Sequence, residues 1–109
     1  MESNFKSANI LNLSRLVEYS DNGIISKRII DRSSGTITLF SFDKEQKLSE
    51  HTAPFDALVQ VLEGKSEIII AGKKFIVSAG ESIILPSGVV HAVNAVEKFK
   101  MLLTMIKEK

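Results

Sequence analysis

The chain has 109 residues, enough for one compact domain. With 44% hydrophobic residues it can build a core, and without cysteine it excludes a disulfide framework, a thiolate nucleophile and a zinc–thiolate centre. Its 14 Lys and Arg against 13 Asp and Glu give a net charge of +1, so no one-signed field exists to attract nucleic acid or an anionic membrane.

The polar start, Met1 to Lys6, lacks the apolar stretch of a secretory signal, and no run reaches the length of a transmembrane helix. The absence of cysteine suits a reducing compartment, and a cytoplasmic protein is expected. Residues 1–8 are expected to fray. Leu13, Leu16 and Val17 recur at helical spacing, which suggests one or two helical turns with Asn12 as N-cap. Asp21-Asn22-Gly23 then signals a turn.

Beyond Gly23 the pattern becomes short β-rich runs between turns. Strands are expected at 24–30, 36–42, 57–62, 67–70, 74–77, 82–85, 89–93 and 99–106. Ala71-Gly72-Lys73 makes the loop of one hairpin. Many short strands at regular spacing with glycine turns argue for an all-β sandwich or barrel. The expected division is an N-terminal arm over residues 1–23 and a barrel over residues 24–109. Lys98, Lys100, Lys107 and Lys109 are read as scattered surface charge. Lys27 and Arg28 could reach an anionic ligand, but a solvated strand face is the plainer reading.

The segment from Gly80 to His91 carries Gly80, Pro86, Gly88 and His91 at the spacing G-x5-P-x-G-x2-H. This resembles the second sequence motif of the cupins, with Ala95 where the family's trailing asparagine stands. The first cupin motif, G-x5-H-x-H-x3-4-E-x6-G, is matched in part. His51 and Gly64 align with its first histidine and closing glycine. Glu45, Ala53 and Ala57 replace its opening glycine, second histidine and glutamate. The chain is similar to small single-domain cupins, and the resemblance covers about residues 24–106. It implies a double-stranded β-helix, the jelly-roll barrel, here with a short helical or irregular N-terminal segment.

The resemblance also implies a place for chemistry. A complete cupin site sets three imidazoles and a carboxylate around one divalent ion. Here two imidazoles remain, His51 and His91. By strand parity, His51, Ala53 and Ala57 would share the barrel-facing side, with His91 opposite. Asp56 or Gln60 could add a third ligand only through a bulge. Any divalent transition metal is therefore expected to be weakly held or absent. Phe55 and Met101 are the further candidates for lining a ligand pocket. Against this stands a plainer alternative, in which the two histidines are hydrogen-bonded, partly buried side chains with no ligand.

The resulting expectation is a protein that holds a small polar organic molecule in the barrel near His51 and His91. One rival is a metal-dependent enzyme of dioxygenase or isomerase type using both histidines and a further ligand. Another is a structural or sensor barrel without catalysis. A homodimer is expected, because Ile25 and Ile29 oppose Ile24 and Ile30, and Ile37 and Leu39 oppose Phe40 and Phe42. One of these two apolar faces would otherwise lie outside the barrel.

Overall fold

The computed structural model describes residues 5–107. Residues 1–4 of the start expected to fray, and Lys109, lie outside the described residues. The chain forms β1 (Ile24–Arg32), β2 (Gly35–Phe42), β3 (Lys47–His51), β4 (Asp56–Glu63), β5 (Lys65–Ile70), β6 (Lys73–Ser78), β7 (Ser82–Leu85), β8 (His91–Ala95) and β9 (Phe99–Ile106). They pair antiparallel in two sheets, ordered β1-β2-β9-β4-β7 and β3-β8-β5-β6. This is the all-β fold that the strand spacing suggests, in the jelly-roll form that the cupin resemblance implies. β3 is an addition, because its Lys-Leu-Ser-Glu-His run is polar and mostly exposed.

Between the sheets lies a core that includes Phe42, Val59, Ile68, Val93, Phe99 and Met101. Phe42 and Phe99 stack with centroids 4.6 Å apart and planes 13° from parallel. These are alternate residues of their strands, as a sheet with one face inward requires. The crossing from β4 to β5 takes one residue, Gly64, at φ +81°.

The expected helix is a single 3-10 turn, Leu13–Arg15. Asn12 precedes it in extended conformation but makes no side-chain cap. Its Oδ1 accepts instead from Ser14 Oγ at 3.1 Å. The turn has the bonds from Arg15 N to Asn12 O at 3.0 Å and from Leu16 N to Leu13 O at 3.2 Å, and so short a turn also needs packing to hold it.

That packing answers the question of the outer face. Val17 is buried with Ile29 and Leu39 in a second apolar cluster, joined by Leu13, Leu16, Ile25 and Ile37. The arm therefore covers much of the apolar surface that a second copy was expected to cover. Side chains of the sheet fasten its backbone. Lys27 Nζ donates to Leu16 O at 2.7 Å and Ser41 Oγ to Glu18 O at 2.7 Å. Lys100 corrects its reading as surface charge: it is buried and donates from Nζ to Ser14 O. Tyr19 donates its hydroxyl to Glu63 Oε2 at 2.6 Å. Burial, then the bond to Glu63 and its charge, push the Tyr19 phenol above its ordinary range.

Candidate functional site at the barrel mouth

Both histidines sit where one sheet meets the other. β3 ends at His51, and residues 52–55 carry the chain to Asp56 at the start of β4. β7 ends at Leu85, paired with Ala57, and residues 86–90 lead back to His91. These two short connections put the His51–His91 cross-strand pair at the same end of the barrel as Asp56, Met105 and Ile106. Gly88 N donates to Ala53 O at 2.8 Å, which ties the connections together.

The imidazoles meet edge to face, with centroids 4.3 Å apart and Nε2 to Nε2 3.0 Å. His91 is buried while His51 is exposed, so the pair spans the rim from interior to solvent. Each ring also touches a backbone carbonyl. His51 Nδ1 lies 2.7 Å from Ser49 O, and His91 Nδ1 lies 3.3 Å from Val89 O. A carbonyl only accepts, so each Nδ1 carries a proton. The two Nε2 atoms then converge on one point at the rim.

Burial, then the charge of His51, lower the pKa of His91, against the raising effect of its bond to Val89 O. The neutral ring is favoured in the fold, so the unfolded chain binds the proton better. This contribution to stability is fully present above the unfolded value of about 6.5 and is lost as pH falls through the lowered folded value. Urea denaturation should show stability falling from pH 7 to pH 5. The His91→Gln variant should have a shallower slope in that window. Parallel slopes would assign the effect to other groups.

The remaining candidates are dispersed. Asp56 Oδ1 accepts from Ser87 N at 2.8 Å. Gln60 pairs with Ser82 and Leu102, on the strand face opposite to Ala57, Val59 and Val61. Phe55 lies half-buried, with Lys107 Nζ 5.8 Å from its ring centroid, and stacks on neither imidazole. Met101 is buried in the inner core against Phe40 and Val61. Strand parity does not run from His51 to Ala57, because residues 52–55 interrupt the strand and β3 itself has a register shift between Leu48 and His51.

The family model of the cupin domain matches residues 38–107. The chain belongs to the cupin family. This cupin is similar over its whole length to a conserved protein of unknown function from Streptococcus pyogenes, with 36% identity, a TM-score of 0.93 and 97% of that chain covered. It is 44% identical to a cupin 2 conserved barrel domain protein from Leptotrichia buccalis, with a TM-score of 0.87 over 89% of this chain. It spans about half of that protein, 47%. A cupin superfamily protein from Desulfitobacterium hafniense shares 25% identity and a TM-score of 0.90, with 97% of each chain covered. Among curated proteins no match is found.

Cupins commonly hold a metal ion, and the donor set here can be tested against one. Two Nε2 atoms 3.0 Å apart would subtend about 91–97° at an ion with bonds of about 2.0–2.1 Å, an ordinary angle between neighbouring ligands. The Nδ1–H···O=C bonds also orient the rings as such ligands usually are. The set stops there. Among the described residues no group of three or more His, Cys, Asp or Glu gathers to hold an ion. Ala53 and Ala57 supply no donor, so the residues present do not complete a resident metal centre.

A second feature lies outside the two motifs. A cavity of about 570 Å³ opens on the inner face of β1, β2 and β9, with Arg28, Asp31, Thr36 and Thr38 among its lining residues. Thr36 and Thr38 are 6% and 7% exposed. Neither hydroxyl has a hydrogen-bond partner among the described residues, yet no polar side-chain atom there is both sealed and unpaired. The two hydroxyls therefore open onto the cavity. Left unmade, a buried hydrogen bond costs about 1–3 kcal/mol, so water or a ligand must supply it.

Proposed function

We propose that this cupin binds a small polar organic molecule at the mouth of its barrel, against His51 and His91. The convergence of two Nε2 atoms at 3.0 Å carries the reading. Two imidazole nitrogens that meet at one point can accept from a ligand or, once protonated, donate to it. A cavity whose lining includes Met105, at the same end of the barrel, offers room and further polar groups.

The test is nitrogen-15 NMR of the imidazoles with a panel of small polar compounds at millimolar concentration. Saturable shifts at His51 and His91 are expected from at least one class. The His91→Ala variant should weaken that binding tenfold or more. If no compound moves either ring, the barrel is structural.

A weakly bound late transition metal is the second reading, favoured by the angle that the imidazole pair would offer. Metal analysis of protein purified without a histidine tag decides it. One equivalent retained through dialysis against a chelator would establish a resident ion.

The proposal includes a homodimer. Ile30, Ile84 and Ile106 stay exposed beside the region covered by the arm, and a second copy would cover them. Light scattering at micromolar concentration should give twice the chain mass. A monomer mass would remove this part.

A further inference from the structure

The polar end of the cavity is assembled by a fault in strand pairing. Along β1 the register with β2 shifts between Arg28 and Ile30. In a regular strand Arg28 and Asp31, three residues apart, would point to opposite faces. The bulge brings both to the cavity, where Arg28 Nη1 lies 3.3 Å from Asp31 Oδ1. Bulges often re-aim side chains in this way beside binding sites.

Two cross-strand rows result. Arg28 pairs with Thr38 and Thr38 with Leu103, while Asp31 pairs with Thr36 and Thr36 with Met105. Each row runs from a charge through a hydroxyl to an apolar side chain. Phe40, next along the inner face of β2, adds an aromatic surface.

We propose that this cavity is a subsite for a neutral polyhydroxylated ligand, a monosaccharide or polyol, held by Arg28, Asp31, Thr36 and Thr38. The inference rests on the barrel-ligand reading and names the ligand's class. The charge balance selects it. Arg28 and Asp31 neutralise each other, so an anion would have to displace the carboxylate from the guanidinium and then face it. A vicinal pair of hydroxyls accepts from Arg28 and donates to Asp31 without disturbing the ion pair. The two threonine hydroxyls, which have no partner among the described residues, both donate and accept. The C–H faces of such a ligand would rest on Phe40, Leu103 and Met105.

The experiment is a heteronuclear NMR titration of the full chain with D-glucose, D-xylose and D-mannitol, alongside D-gluconate as anion and glycine as zwitterion. A neutral probe should shift the amides of Arg28, Asp31, Thr36 and Thr38 saturably. Thr36→Val and Thr38→Val conserve shape, and each should weaken that binding tenfold or more while the remaining spectrum shows the fold intact. Asp31→Asn should do the same. Response at these amides only to gluconate or glycine would overturn the ligand class. Binding of a neutral probe that survives Thr38→Val and Asp31→Asn would overturn the subsite and leave the barrel-ligand reading standing. Silence of all probes, both here and at the histidine rings, would overturn that reading too.

Discussion

Gly64→Ala should cost this cupin more than about 3 kcal/mol, while Gly88→Ala should cost about 1–2 kcal/mol. Both glycines have positive φ, +81° and +74°, where an L side chain is strained by its own backbone. Only Gly64 is also crowded. A Cβ there would lie 2.1 Å from Lys98 O and 2.7 Å from Phe99 Cβ, whereas at Gly88 it would meet nothing within 4 Å. Lys98 O is backbone and Phe99 is a fully buried member of the aromatic stack. Relief therefore requires moving β9, the strand between β2 and β4. Urea denaturation of the two variants gives the comparison. Equal losses would show that conformation alone, and not the close approach, makes glycine necessary at position 64.

The same contrast shows what the sequence motifs convey. Gly64 and Gly88 were visible as fixed positions of the two cupin motifs, and both have the backbone geometry that glycine favours. Glu45, which replaces the opening glycine of the first motif, nevertheless takes φ +71°. Its amide donates to Ala95 O at 2.9 Å, so the turn keeps its form after losing the residue best suited to it. The ligand positions at Ala53 and Ala57 have no such rescue, because a methyl group cannot replace a donor atom.

Most strands were legible because β-branched runs alternate with glycine turns. β3 was not, since Lys47, Ser49 and Glu50 carry no strand signature and lie exposed. The threonine cavity was hidden for another reason. Parity separates Arg28 from Asp31, and only the bulge, which depends on pairing with β2, unites them. The arm's role was hidden because Val17, Ile29 and Leu39 are far apart in sequence and meet only in the folded chain.

Val17→Asp tests that meeting, and its expected cost is also more than about 3 kcal/mol. Val17 is 1% exposed between the arm and the outer face of the larger sheet. Full burial of a valine contributes about 1.5–3 kcal/mol, which the substitution forfeits. A carboxylate left there without a partner adds a desolvation cost of several kcal/mol, so undocking the arm becomes the cheaper course. Undocking uncovers Ile25, Ile29, Ile37 and Leu39 and breaks the bonds from Lys27 and Ser41 to the arm's carbonyls. Lys100, buried and bonded to Ser14 O, loses a partner at the same moment. Ile10→Asp is the matched control, because Ile10 is fully exposed and the same charge there should change stability by less than about 0.5 kcal/mol. Hydrogen exchange should report faster opening at the amides of β1 and β2 in Val17→Asp and no change in Ile10→Asp. If both variants unfold at the native urea midpoint, the arm rests on the barrel without stabilising it. The outer face would then need another cover, for which a second copy is the remaining source.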